Sequence, residues 1–169
     1  MAEEIINRVA NSKLKVLDLE QIYPEGKRVL FDIKDWLHEG FVLREKDFRA
    51  SVAEHDWSQY KDVYIALNCS TDAIVPDWAY MLLSIQLEPY AKTVVYGDLK
   101  QLETQIFNSL ISDLDLETYR DAPVIIKGCS NKPVPLNATL RITQRLKPIA
   151  RSIMFGEACS SVPLYKRKK

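Results

Sequence analysis

Apolar residues fall into short runs separated by polar turns, and the two purest runs lie in matching surroundings. Residues 63–67 and 124–126 are almost entirely apolar, which predicts strands buried on both faces. Each run is followed, after Pro76 or Pro135, by a segment with helical spacing, and proline is tolerated in the first turn of a helix. A second strand is then predicted at Thr93–Tyr96 and at Ser152–Phe155. The pattern therefore predicts strand, loop, helix, strand, twice over.

The two strand–loop–helix–strand segments also match each other residue by residue. Tyr60 corresponds to Tyr119 and Gly97 corresponds to Gly156, each pair 59 positions apart. A constant offset held over roughly 40 residues predicts an internal duplication. Strand–helix–strand copies place their strands in parallel, so the predicted fold is α/β with a largely parallel sheet. The two copies are predicted at residues 56–98 and 115–157.

The remaining segments complete one predicted domain over residues 1–169. The first 55 residues are expected to form an α+β part that extends the sheet. Its predicted elements are helices at 3–10 and 44–54, strands at 15–19, 28–33 and 41–43, a turn at 24–26 and a short turn or helix at 35–37. A linking helix is predicted at 99–111, where Asp98 and Gln101 have the spacing of a capping box. The basic tail, 164–169, is expected to be a solvated terminus.

The first repeat helix has a predicted inward face and a predicted cap. Asp77 stands near its start and is expected to cap it. Apolar residues at helical spacing predict which side faces the core. The residues expected on that side are Trp78, Met81, Leu82 and Ile85.

Composition narrows the class of protein. The chain has 169 residues, 47% of them hydrophobic and 27% charged, which argues against disorder and against a membrane span. Lys+Arg and Asp+Glu both number 23, so no net field points to nucleic acid or lipid as a partner. The acidic start carries no apolar export segment, and a cytoplasmic protein is therefore expected.

The three cysteines all occur in one phrase, in which Cys-Ser is followed shortly by Val-Pro. They are Cys69, Cys129 and Cys159. An odd number of cysteines in a reducing compartment disfavours structural disulfides. Because ligands bind beyond the carboxyl ends of parallel strands, and each cysteine follows a predicted strand, all three are expected at one edge of the sheet.

Three thiolates that converge on one point would suit an iron–sulfur cluster or a zinc ion. His55 would supply a fourth ligand. The serine that follows each cysteine would donate a hydrogen bond to sulfur and tune it. These serines are Ser70, Ser130 and Ser160. The leading hypothesis is a metal-binding or cluster-binding protein that works in assembly, carriage or sensing rather than as an enzyme.

Two alternatives stay open at this point. A cysteine between a strand and a helix N-terminus has a lowered pKa, so Cys69 or Cys129 could serve a thiol-based sulfur carrier or enzyme. Neither loop supplies an arginine for an anion, and Asp72 opposes one, which disfavours phosphatase-like chemistry. The third reading is a metal-free interaction module in which the cysteines only pack.

Several longer stretches resemble a known family. They read FDIKDWLHEGFVL, HDWSQYKD, CSTDAIVPDWAYMLL, KGCSNKPVP and CSSVPLYKRKK. With them the chain resembles, over nearly its whole length, the DUF2480 family of uncharacterised bacterial proteins. That resemblance brings no established activity. It implies a role related to iron–sulfur clusters or to sulfur, with iron–sulfur assembly proteins as partners.

Overall fold

The computed structural model describes residues 13–128 and 131–168. Within these residues the fold is α/β, as the pattern predicts, with four α-helices and seven largely parallel strands. The helix predicted at 3–10 lies outside the described residues. The strands form two sheets rather than the single sheet that the sequence predicts. No helix in the described part of the chain is long and apolar enough to cross a membrane.

The chain divides into two compact units, and the single domain that the sequence predicts stays a prediction. The central unit is Pro24–Ile106, and the terminal unit joins Met1–Tyr23 to Phe107–Lys169. Helix α3, Leu99–Asp113, begins in the central unit and ends in the terminal one. Its predicted capping box is confirmed. The Asp98 backbone N–H donates to Gln101 Oε1 at 2.7 Å, and the Gln101 N–H donates to Asp98 Oδ1 at 2.8 Å.

The central unit contains a three-stranded parallel sheet with β3 in the middle. The strands are β2 (Arg28–Asp32), β3 (Tyr64–Asn68) and β4 (Thr93–Tyr96), and the helices are α1 (Glu45–Glu54) and α2 (Asp77–Leu87). Strand β3 pairs Tyr64 with Arg28 on one side and with Thr93 on the other. Its first four residues are all buried, as expected of a parallel strand covered on both faces.

The terminal unit contains a four-stranded sheet in the order β1-β5-β6-β7. The strands are β1 (Lys15–Asp18), β5 (Pro123–Lys127), β6 (Ser152–Phe155) and β7 (Val162–Lys166), and the helix is α4 (Leu136–Leu146). Only β7 runs antiparallel in this sheet, with an irregularity between Ile153 and Met154. The segment predicted as a solvated basic tail thus contributes a strand up to Lys166. Arg167 follows it and pairs with Asp121 at 2.5 Å.

The two early strands do not pair with each other, although the sequence predicts a turn that joins them. Strand β1 pairs in parallel with β5, and β2 pairs in parallel with β3. The physical reason is that β3 and β5 are apolar on both faces and hydrogen-bond on both edges. Strands β3 and β5 each pair with one strand from the first 55 residues. The predicted strand at 41–43 is reduced to a single bridge between His38 and Val42.

Several backbone features recur at the spacing of the predicted duplication. Asp62 and Asp121 both have positive φ, 60° and 54°. The Gly97 N–H donates to the Leu67 carbonyl at 2.8 Å, and the Gly156 N–H donates to the Ile126 carbonyl at 3.0 Å. Each of these pairs is 59 positions apart. The recurrence agrees with two copies, and the duplication itself stays a prediction.

The predicted inward face of α2 is wrong for two of its four residues. Met81 is 64% exposed and Ile85 is 66% exposed, while Trp78 and Leu82 are partly buried. The residues that point into the core are Ala79, Leu83 and Leu87. Because α2 is apolar on most sides, its pattern did not identify the buried side. The predicted cap is also wrong, since Pro76 occupies the cap position and Asp77 is the first helical residue.

Replacing Leu83 with alanine tests which side of α2 carries the core. Leu83 is 0% exposed, so Leu83→Ala should lower the free energy of unfolding by about 3 kcal/mol. Met81→Ala on the exposed side should change it by under about 0.5 kcal/mol. Urea unfolding followed by circular dichroism measures both values. Equal losses in the two variants would contradict this assignment of the buried side.

Candidate functional site

Cys69 lies just beyond the carboxyl end of β3, where the sequence predicts a ligand-binding edge. It is partly buried and packs against the core of the central unit. Its Sγ lies 3.4 Å from Thr71 Oγ1, and Thr71 Oγ1 donates to the Gly40 carbonyl at 2.8 Å. A hydroxyl carries one proton, and that of Thr71 is used on Gly40. Cys69 Sγ also lies 3.7 Å from the Thr71 carbonyl oxygen, to which its S–H donates, so Thr71 is the hydrogen-bond partner of the thiol.

The loop that carries Cys69 is fastened to the neighbouring strand by a carboxylate. Asp32, the last residue of β2, accepts from the Ser70 backbone N–H and from the Lys34 N–H, each at 3.1 Å. Burial raises the pKa of Asp32, but hydrogen bonds from Ser70 and Lys34 outweigh it and hold the pKa below its usual value. Asp32 is therefore ionised at neutral pH. Ser70 contacts this carboxylate and is itself exposed.

A cavity of ≈ 650 Å³ opens beside Cys69. Its lining combines this thiol with hydroxyls of Thr71, Tyr80 and Tyr96, carboxylates of Asp72 and Asp77, and apolar side chains of Ala73, Val75 and Met81. Over the described residues, no lysine or arginine lines it. The lining therefore suits a neutral or cationic ligand better than an anion.

Two tyrosines form one wall of this cavity. The rings of Tyr80 on α2 and Tyr96 on β4 meet edge to face, with centroids 4.9 Å apart. Burial raises the pKa of Tyr80 to about 12, and repulsion from Tyr96, Cys69 and Asp32 adds to the shift. The phenol of Tyr80 stays neutral at physiological pH and keeps its proton available for a hydrogen bond.

The terminal unit has a related but more polar edge. Cys129 and Ser130 lie outside the described residues. Next to them, Glu20 accepts from the Asn131 backbone N–H at 3.0 Å, much as Asp32 does from Ser70. Lys127 pairs with Glu157 at 2.7 Å, and this hydrogen bond raises the pKa of Lys127. These four side chains line a smaller cavity of ≈ 320 Å³.

The third cysteine, Cys159, is exposed in the turn between β6 and β7. Ser160 beside it is also exposed, and its backbone N–H donates to the Glu157 carbonyl at 2.9 Å. Cys69 belongs to the central unit and Cys159 to the terminal one. Convergence of the three cysteines therefore stays a prediction.

His55 is engaged in an aromatic cluster of the central unit. Its ring lies 4.7 Å from that of Trp57 and 5.1 Å from that of Trp36, and Nε2 lies 3.0 Å from the Tyr60 hydroxyl. Burial lowers the pKa of His55, despite the opposing charge of Asp56. The imidazole is thus neutral at pH 7. Its role as a metal ligand stays a prediction.

A family model described as a protein of unknown function, DUF2480, matches residues 3–167. The chain belongs to the DUF2480 family. No curated protein and no solved structure matches it. Within residues 13–128 and 131–168 of this DUF2480 protein, no group of three or more His, Cys, Asp and Glu side chains is placed to hold a metal ion.

Four residues of the Cys69 site in this DUF2480 protein are absent from the sequence-based predictions. They are Asp32, Thr71, Tyr80 and Tyr96. The sequence contains one signal for Asp32, because an acid at the carboxyl end of a strand lies at the binding edge of a parallel sheet. It contains no signal for the two tyrosines, since α2 and β4 bring them together only in the folded chain.

Alkaline titration tests the environment of Tyr80. The pKa of Tyr80 is about 12 in the fold against 10.0 for a free tyrosine, so the unfolded chain loses this proton first. Stability from this group is complete below pH 10 and falls as pH rises from 10 toward 12. Tyr80→Phe should show a shallower loss of unfolding free energy between pH 10 and about 12.

The control for this titration is Tyr90→Phe, because Tyr90 is exposed and lies outside the cavity. Urea unfolding at several pH values should give Tyr90→Phe the same pH dependence as the wild type. If Tyr80→Phe has the same pH dependence of unfolding as the wild type, the burial described above for Tyr80 is incorrect.

Proposed function

We propose that the chain is a cytoplasmic, thiol-based sulfur carrier whose reactive group is Cys69. The observation that supports this most is the position of the thiol, which is half-buried and lines the ≈ 650 Å³ cavity. Thiols sealed in a core are inert, whereas reactive ones are partly accessible. A reducing cytoplasm would keep the thiol free.

The cavity chemistry fits sulfane sulfur as cargo. In the proposed step, Cys69 Sγ attacks the outer sulfur of a donor persulfide, R–S–SH. A bond forms between Sγ and that sulfur, and the S–S bond of the donor breaks with its electron pair going to the donor. The Cys69 proton passes to the departing thiolate, so the products are a Cys69 persulfide and R–SH. No external oxidant is consumed.

The geometry of the site describes Cys69 as it would be before a sulfur donor binds. The Cys69 S–H donates to the Thr71 carbonyl at 3.7 Å, and among the described residues the cavity lining holds carboxylates and no lysine or arginine. Sulfur uptake would therefore depend on a donor that enters the cavity and reaches this thiol. The neutral Tyr80 phenol, beside Cys69, could donate a hydrogen bond to the transferred sulfur.

Sulfur uptake from glutathione persulfide tests the carrier proposal. The wild type should gain the mass of one sulfur atom at Cys69, detected by mass spectrometry of an alkylated digest. Cys69→Ser should lose this adduct, because it removes the attacking sulfur. Cys159→Ser, which removes an exposed thiol that does not line the Cys69 cavity, should retain it. Uptake in Cys69→Ser equal to that of the wild type would refute the carrier role.

A second candidate is the binding of an iron–sulfur cluster or zinc by Cys69, Cys129 and Cys159. It is favoured by the accessibility of the two described thiols, because Cys69 is only partly buried and Cys159 is exposed. A complete site would need Cys129, and Ser70, Ser130 and Ser160 would hydrogen-bond its sulfurs. The family resemblance adds iron–sulfur assembly proteins as partners. A bound cluster would be the cargo in assembly or carriage, or the responsive group in sensing.

Metal and sulfide analysis of protein purified without oxygen tests this second candidate. A shared site predicts that each single Cys→Ser variant at the three positions loses the bound metal. Iron with sulfide would identify a cluster, and about one zinc per chain would identify a closed site. A wild type that holds no metal and takes none up on reconstitution would exclude the site. If sulfur uptake also failed, the metal-free interaction module would remain.

A further inference from the structure

Exposed apolar side chains line the Cys69 cavity or lie next to its lining residues along the chain. Met81 and Tyr96 line it and are 64% and 68% exposed. Ile74 is 93% exposed and stands between two lining residues, and Ile85 is 66% exposed one helical turn after Met81. These four residues are called the apolar rim below. Single exposed apolar residues are ordinary, but a group of them around an equipped cavity is typical of an interaction site.

The charge of the site adds a second constraint on its ligand. Asp72 and Asp77 are the ionisable carboxylates of the cavity lining, and Asp32 holds the adjacent loop as an ionised carboxylate. A segment carrying lysine or arginine would be attracted to this edge, and an acidic segment would be repelled. Basic residues on the partner therefore complement the site.

The depth of the thiol adds a third constraint. Cys69 is only partly accessible, and its Sγ points toward Thr71. A sulfur atom that reacts with it has to enter the cavity while the rim contacts whatever carries that sulfur. A small persulfide would leave the rim uncovered, whereas a protein segment would cover it.

We propose that the apolar rim is a docking surface for a protein segment that carries a reactive cysteine with apolar and basic neighbours. The proposal rests on the proposed function and names the partner class of the same site. The apolar neighbours of that cysteine bury the rim, the basic ones face Asp72 and Asp77, and the cysteine enters the cavity to exchange sulfur with Cys69.

The terminal unit offers a matched control position. Leu140 on α4 lies 59 positions after Met81 and is 54% exposed. It does not line the cavity beside Cys69. Leu140→Ser therefore removes a comparable exposed apolar side chain without touching the rim. Ile74→Ser and Ile85→Ser remove rim residues that are exposed, so their folding should be unaffected.

The test uses synthetic cysteine peptides as mixed disulfides with 5-thio-2-nitrobenzoate. One peptide places leucine and lysine beside its cysteine, and the other places leucine and glutamate. In a Cys129→Ser, Cys159→Ser background, Cys69 sulfur bonds to the peptide sulfur and the coloured aryl thiolate leaves with the electron pair of the broken S–S bond. Each rate is divided by that of the same disulfide made with free cysteine.

The basic peptide should react at least about tenfold faster than the acidic one. Ile74→Ser with Ile85→Ser should lower the normalised rate of the basic peptide severalfold, and Leu140→Ser should not. Equal rates for the two peptides, or an equal loss in Leu140→Ser, would overturn the docking surface. A wild-type dimer in sedimentation that Ile85→Ser converts to a monomer would also overturn it, because a second copy would then occupy the rim.

These outcomes separate the docking surface from the carrier role. A strong preference for the basic peptide, together with no sulfur uptake from glutathione persulfide, would support the docking surface and reject persulfide carriage. Sulfur uptake without any peptide preference would do the reverse.

Discussion

The parallel pairing of β3 between β2 and β4 is the constraint on which the central unit depends. The first four residues of β3 are buried, so the strand needs a neighbour on each edge and a cover on each face. Parallel neighbours cannot be joined by hairpins, and α2 therefore crosses back between β3 and β4. All three strands end at the same edge, which brings Asp32 to the loop of Cys69. The candidate site is a consequence of that alignment.

Two contacts then set the position of the thiol. Asp32 accepts from the backbone of the loop, and the Cys69 S–H donates to the Thr71 carbonyl while the Thr71 hydroxyl donates to the Gly40 carbonyl. Among the described residues no lysine or arginine lines the cavity, which distinguishes this edge from the cationic sites where cysteines are usually activated. The half-buried thiol lines an open cavity and is reachable from it.

The sequence predicts well what is decided locally. Strands β4 and β6 begin and end where the pattern places them, and the box of Asp98 and Gln101 forms because both partners lie within four residues. It predicts poorly what depends on distant pairing. The separation into two sheets, the strand β7 and the buried side of α2 follow from contacts that no short window contains. The position of Cys69 was predictable from the strand that precedes it, whereas Tyr80 and Tyr96 were not.

The same loop fastening occurs in both units, but the surroundings differ. Asp32 holds the segment after β3, and Glu20 holds the segment after β5, each by accepting a backbone N–H. The central edge is lined by tyrosines and apolar side chains, whereas the terminal edge carries the ion pair of Lys127 and Glu157. Because the anchors are alike and the linings differ, the two edges are expected to suit different ligands, a neutral or cationic one at the central edge and a polar one at the terminal edge.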